Sequence, residues 1–401
     1  MRIKQIFFLL IPGSILLSSC SVGRFIVWNF ADINDYKKFR YMEITKPETP
    51  FIFINSSKGL SFDTISYNGV VYTLDDFFEQ NKSAAFLIIR NDTILYEKYF
   101  WGRDQTSFVP SFSAAKSFVV ALVGIAVAEG SIKSVHDPIT DYLPELKKND
   151  GRFSNITIEH LINMRSGILF KEKYLNPFSD VAKSYYGRNL LGQLKKLKIK
   201  NDPDLEFEYI SENTQLLSFI VEKATGKKLP EYLQEKIWKP LGMEYDATWS
   251  IDSKKHKEAK AFCCLNAVAR DFAKFGRLYL NMGNWNGIQL VPKEWIAKST
   301  TIDENSKDPF YSYQWWHNVE YKKNVDTTIL TESEKKYLRT YKSDDGSNVA
   351  YLFKPMNDFF AEGFLGQFIY VYPEKNIIMV RLGETSKVHW QKIMYKIAKE
   401  F

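Results

Sequence analysis

Residues 111–118 read Ser-Phe-Ser-Ala-Ala-Lys-Ser-Phe, and Val119–Ala128 follows as an apolar stretch interrupted only by Gly124. That stretch is long enough to form a buried helix. Ser113 and Lys116 stand three residues apart, so a helix puts both side chains on one face. A lysine entering a poorly solvated site loses its proton more easily, and a neutral amine acts as a base. The helix start adds backbone N–H groups and the positive end of a dipole for a developing oxyanion. A capping box would carry Glu or Gln three residues after the serine, whereas this chain carries Lys. The same spacing recurs from Ser333 to Lys336, inside Thr331-Glu332-Ser333-Glu334-Lys335-Lys336. Its density of charge marks that copy as a solvated surface element.

Outward from this stretch, Ala84–Arg90 reads as a strand, Asn91-Asp92 as a turn and Ile94–Phe100 as the returning strand of a hairpin. Residues 135–300 read mostly helical. Thr157–Met164 stops before Ser166-Gly167, Leu216–Thr225 ends at Gly226, and Ala267–Leu280 ends near Gly283. Strands return at Asn348–Phe353, Gln367–Tyr372 and Ile377–Leu382, and a last helix covers Val388–Lys399. Strands at both ends with helices between them predict an α+β fold. One antiparallel sheet is built from the two chain ends and flanked by helices, and a mostly helical subdomain is inserted. Residues 46–401 form the folded domain, residues 20–45 a tether and lead-in.

Composition is that of a globular chain: 401 residues, 25% charged, 45% apolar, 15% aromatic. The net charge of +7 is spread along the sequence without a dense Lys/Arg block or zinc-finger spacing, so nucleic-acid binding has no support. At the N-terminus, Arg2 and Lys4 precede the apolar residues Ile6–Leu17, which Pro12-Gly13-Ser14 interrupts. This is too short to span a bilayer and has the charge order of a secretory signal. It ends in Leu17-Ser18-Ser19-Cys20, which resembles the bacterial lipobox. That resemblance implies removal of residues 1–19, a lipid on Cys20, and a membrane-anchored protein of the bacterial cell envelope. Cys263 and Cys264 are then the only other cysteines. Neighbours in sequence rarely form an ordinary structural bridge, so core packing is their expected role, with a vicinal disulfide or a place in the pocket lining as the alternatives. None of the five histidines has a zinc-protease spacing.

Two further segments bear on the Ser–Lys pair. Phe207-Glu208-Tyr209-Ile210-Ser211-Glu212-Asn213 precedes the helix at Leu216. A tyrosine held near a lysine cation is pushed toward its phenolate and serves as a general base. Phe360-Ala361-Glu362-Gly363-Phe364-Leu365-Gly366-Gln367 leads into a strand. Its glycines let the backbone approach a ligand, and an N–H beside Gly363 would complete an oxyanion hole.

The order and spacing of the three segments resemble the serine β-lactamase and penicillin-binding-protein superfamily, in its class C-like branch. Supporting stretches include Asp141-Tyr142-Leu143-Pro144-Glu145-Leu146, Asn163-Met164-Arg165-Ser166-Gly167, Trp238-Lys239-Pro240-Leu241-Gly242-Met243 and Ala269-Arg270-Asp271-Phe272. The resemblance implies a β-lactamase/transpeptidase-like fold with Ser113 as acylated nucleophile, Lys116 as its partner and Tyr209 as the tyrosine of the second motif. The N–H groups of Ser113 and Phe364 would form the oxyanion hole, with Ser211, Gly363 and Gly366 around the substrate. It implies a small-molecule or peptide substrate and no metal or organic cofactor.

Two departures bear on substrate. Ser211 stands where penicillin-recognising relatives have Asn, and Ala361-Glu362-Gly363 lacks the Lys or His of a KTG-like triplet. Both argue against efficient β-lactamase activity, and Glu362 disfavours carboxylate substrates. Tyr-x-Ser followed by Gly-x-x-Gly-Gln looks most like the 6-aminohexanoate-dimer hydrolases, beside the family VIII esterases. A D,D-peptidase or D-aminopeptidase is the rival enzyme. The rival outside catalysis is an envelope protein that keeps the fold to bind peptidoglycan.

Overall fold

Seven of the eight residues of Ser83–Arg90 are buried, which fits the middle of a sheet rather than an edge. The computed structural model describes residues 21–302, 306–343 and 346–401, and it places this strand there. The expected signal segment 1–19 and Cys20, the expected lipid attachment site, lie outside the described residues.

In chain order the elements that build the site begin with α1 (Ser21–Trp28), β1 (Arg40–Ile44), α2 (Leu74–Gln80), β2 (Ser83–Arg90) and β3 (Thr93–Tyr99). Next come β4 (Val109–Pro110), α3 (Ala115–Ala128), α4 (Ser211–Thr225), β5 (Ala247–Ile251), β6 (Leu265–Ala267) and α5 (Ala269–Leu280). The chain ends with β7 (Trp315–Lys323), β8 (Asn348–Gly363), β9 (Gln367–Tyr372), β10 (Ile377–Gly383) and α6 (Trp390–Lys399).

The main sheet runs β7-β8-β9-β10-β2-β3, antiparallel throughout, with the short strand Ile54–Asn55 added parallel at the β3 edge. Its centre is the seam between the chain ends, where Ile378 faces Ile89 and Val380 faces Leu87. One face packs Phe86, Ile88, Phe368 and Tyr370 under α2 and α6, through Phe77, Phe78, Trp390 and Met394. The opposite face packs Leu87, Ile369 and Val371 against α5 and the larger core. Every residue from Ala115 to Ala126 of α3 is buried; a helix with no polar face belongs inside a domain. The expected α+β architecture, with both chain ends in one antiparallel sheet, is what the structure shows.

Three differences from the sequence reading affect the site. Residues 135–300 are less helical than expected, because β5 and β6 join a second sheet of order β1-β5-β6-β4. These strands are too short to show an alternating pattern. Residues 21–44, read within the tether and lead-in, are folded onto the domain. β1 pairs with β5, Phe25 of α1 is buried, and Arg24 Nε donates to Tyr186 O at 2.5 Å. Finally, the strand expected at Asn348–Phe353 continues to Gly363, which carries it into the catalytic region. Among the described residues, no helix is long and apolar enough to cross a membrane.

Candidate active site

The second sheet positions Ser113. β4 is paired to β6, and the N–H of Ser111 donates to Leu265 O at 2.8 Å. Phe112 then adopts φ +44°, a left-handed conformation that costs a non-glycine residue about 1 kcal/mol or more. Ser113 follows in a tight turn, Phe112–Ala114, that opens into α3. The end of β8 lies against this turn. A Cβ on Gly363 would stand 2.1 Å from Ser111 O, so only glycine lets the two segments touch.

Lys116 is 1% exposed and its Nζ lies 2.9 Å from Ser113 Oγ, 2.9 Å from Phe262 O and 3.5 Å from Ser211 Oγ. Phe262 O is a carbonyl and only accepts. Ser211 Oγ–H donates to Glu172 Oε1 at 2.6 Å, so toward Lys116 it also accepts. A neutral amine has two N–H groups and one lone pair. As the ammonium, Lys116 donates to all three oxygens; once neutral it keeps its two N–H groups for Phe262 O and Ser211 Oγ and turns its lone pair to the hydroxyl of Ser113. Burial pushes the Lys116 pKa down to about 8, opposed by the Glu172 carboxylate. The same geometry therefore prepares a base and supplies its acceptor.

Tyr209 is in hydrogen-bond contact with Ser113, and Lys116 Nζ sits 5.0 Å from the centre of its ring. The phenolate expected from the sequence is corrected here. Burial raises the Tyr209 pKa, Glu172 and Glu362 add to the rise, and only the Ser113 hydrogen bond opposes it. Tyr209 is thus a phenol that holds its proton, and Lys116 is the better base.

Glu172 and Tyr174 escaped the sequence reading. Glu172 accepts from the Ser211 backbone N–H at 2.9 Å, from the Ser211 hydroxyl and from the Tyr174 hydroxyl at 2.8 Å. Ser211, taken from sequence as a substrate contact, is 2% exposed, accepts from Lys116 at 3.5 Å and also lines the pocket beside Ser113. Glu172-Lys173-Tyr174 lies in a loop without periodicity, so its only signal was two titratable side chains close together.

Two cavities meet at Ser113. A pocket of about 520 Å³ is walled by apolar and aromatic side chains, among them Phe30, Phe112, Val181, Tyr185, Phe262 and Phe364. A wider cleft of about 1040 Å³ holds Ser113, Tyr174, Tyr209, Glu362 and the segment Gly363, Phe364, Leu365 and Gly366. Phe364 and Gly363 thus line the cleft beside Ser113, and Gly366 turns the chain at φ +82°. Cys263 lines the first pocket one residue beyond Phe262 and is joined to Cys264 by a disulfide. Both cysteines are buried in the core as expected, but as the vicinal disulfide rather than as two thiols, with Cys264 at φ +73°.

A family model described as Beta-lactamase matches residues 74–391. The 6-aminohexanoate-dimer hydrolase of Paenarthrobacter ureafaciens is 27% identical over 271 residues, covering 61% of this chain and 66% of that relative. A Bacillus anthracis protein provisionally described as a 6-aminohexanoate-dimer hydrolase has a solved structure that superposes with a TM-score of 0.75 at 23% identity, covering 94% of each chain. A class C beta-lactamase structure superposes with a TM-score of 0.56 at 15% identity, covering 82% of this chain and 94% of the other.

Proposed function

The chain belongs to the beta-lactamase family, and from that premise we propose that it is a serine hydrolase that cleaves amide or ester bonds through an acyl-enzyme on Ser113. The observation that carries this reading is the buried Lys116 Nζ, 2.9 Å from Ser113 Oγ, with Phe262 O and Ser211 Oγ placed to take its two N–H groups once it is neutral. Lys116 takes the Ser113 proton while Oγ bonds to the substrate carbonyl carbon. The N–H groups of Ser113 and Phe364 receive the negative oxygen. As the tetrahedral species collapses, the bond to the leaving group breaks and the Tyr209 hydroxyl protonates that group, its proton replaced from Lys116. Water then attacks the acyl carbon, loses its proton by the same route, and releases the acid and free Ser113.

The two cavities support a substrate with an apolar portion on one side of the scissile bond and a polar portion on the other. The similarity to 6-aminohexanoate-dimer hydrolases favours small linear amides or esters over β-lactams. Ala361 at the KTG-like position, with no cationic side chain, agrees with that preference. The test is fluorophosphonate labelling with peptide mapping. One adduct is expected, on Ser113, and none in Ser113→Ala. A labelled protein whose adduct lies elsewhere, or no adduct at all, overturns the reading.

We also propose that a lipid on Cys20 anchors the protein in the bacterial envelope. Support comes from the Arg2/Lys4 charge order and the Leu17-Ser18-Ser19-Cys20 sequence. The helix that starts at Ser21 exposes Ile26 and Val27 by 63% and 56%, apolar surface suited to the headgroup boundary. Metabolic labelling with palmitate should mark the wild type and spare Cys20→Ser; equal labelling refutes the anchor.

A further inference from the structure

Glu362 is a carboxylate where the strand pattern asks for an apolar residue. In β8, Phe360 and Glu362 point to the same face, Phe360 is buried among the aromatic residues under α6, and Glu362 pairs across to Phe368. One step further along that row the side chain reaches the cleft, beside Ser113, Tyr209, Trp316 and Trp390. Among the described residues no lysine or arginine lines the cleft and His389 is its only basic side chain; the Lys116 amine lies behind Ser113, 2.9 Å from Oγ. The nearby Arg381 guanidinium is occupied by the carbonyls of Leu365, Gly366, Lys82 and Glu384, and lies 4.4 Å over the Trp390 ring.

Other acids at the site are partnered. Glu172 receives hydrogen bonds from Ser211 and Tyr174. Glu362 differs: burial alone acts on it and pushes its pKa up to about 7. Its charge reaches the phenols of Tyr209 and Tyr174. A half-desolvated carboxylate with no cation of its own gains most from a ligand that brings one. The rings of Tyr209 and Trp316, 5.5 Å apart, line the same cleft as Glu362, and aromatic rings attract a cation.

We propose that Glu362, with Tyr209 and Trp316, forms an ammonium-binding subsite beside Ser113, on the side of the scissile bond away from the apolar pocket. Preferred substrates then carry a cationic amine on one half and an apolar group on the other. The inference rests on the Ser113 reading above and adds the substrate class.

The test uses two isosteric ester pairs. In the first, a choline ester is compared with the 3,3-dimethylbutyl ester of the same acid, so that only the charge of the alcohol changes. In the second, a p-nitrophenyl ester whose acyl chain ends in trimethylammonium is compared with its tert-butyl isostere. The readout is the kcat/KM ratio within each pair. The full-length wild type should favour the cationic member of one pair by about tenfold or more, carried in KM. In Glu362→Gln the ratio should fall below about twofold, and in Glu362→Lys the cationic member should become the poorer substrate. Turnover without charge preference in either pair, or a preference that survives Glu362→Gln, overturns the subsite alone. If no ester turns over and Ser113 takes no fluorophosphonate, the Ser113 reading fails and the subsite falls with it.

Discussion

Replacing Lys116 by methionine should destroy activity and, at neutral pH, stabilise the fold. Methionine keeps most of the volume of the lysine stem and removes its amine. In the folded chain the amine titrates at about 8 against 10.5 for the ordinary group. At about 1.4 kcal/mol per pKa unit, burying the charge costs the native state about 3 kcal/mol at pH 7. The sign follows from a folded pKa below the unfolded one. Below about pH 8 the amine is charged in both states and the full cost is present. Between 8 and 10.5 the folded chain releases its proton first, and the cost fades. By pH 10 it is about 0.8 kcal/mol, so the gain from methionine should shrink by about 2.5 kcal/mol between pH 7 and pH 10. The Phe262 carbonyl that loses its donor costs about 1 kcal/mol at both pH values, so it cancels from the difference. Lys260, another buried amine with a lowered pKa, is present in both proteins and cancels too. Urea unfolding of wild type and Lys116→Met at the two pH values measures the quantity. A methionine gain equal at both values to within about 0.5 kcal/mol would refute a buried, easily deprotonated amine.

Other consequences are simpler. With the Lys116 pKa at about 8, wild-type kcat/KM should rise about tenfold from pH 7 to pH 9 and level above it. Tyr209→Phe should lower the plateau by about a hundredfold or more and leave that limb in place; a shifted limb would make Tyr209 the base. Glu172 raises the Lys116 pKa, so Glu172→Gln should move the limb to lower pH, and an upward move would contradict the assigned geometry. Gly363→Ala drives a methyl to within 2.1 Å of Ser111 O and should cost about 2 kcal/mol or more of stability together with most activity. Denaturant midpoints and ester turnover report both. Alkylation of unfolded protein should label Cys263 and Cys264 only after reduction; labelling without reductant would refute the disulfide.

The sequence made local chemistry legible and left long-range chemistry hidden. Ser113 and Lys116 could be read because a separation of three residues, across the tight turn that opens α3, brings their side chains together. The central strands could be read because their burial leaves continuous apolar runs. The Gly226 stop was visible because only glycine sits comfortably at φ +71°. Tyr209 was reached through resemblance, since nothing near position 209 says that its ring lies over an amine 93 residues earlier. Phe262 contributes a backbone carbonyl, and a carbonyl has no residue signature. Glu172 acts through Ser211 from an irregular loop, where neither helical nor strand periodicity marks a side chain's direction. β5 and β6 went unseen because their partners, β1 and β4, are far away in sequence and just as short.

The most direct test is the rate of acylation of Ser113 by an activated ester, followed in a single turnover by rapid mixing across pH 7–9. The wild type should give one equivalent of released alcohol per protein, at a rate that rises with deprotonation of a group near pH 8. Lys116→Met should lose that phase by about a thousandfold or more while half-saturation by the ester changes little. An unchanged burst in Lys116→Met would contradict the assignment of this amine as the base.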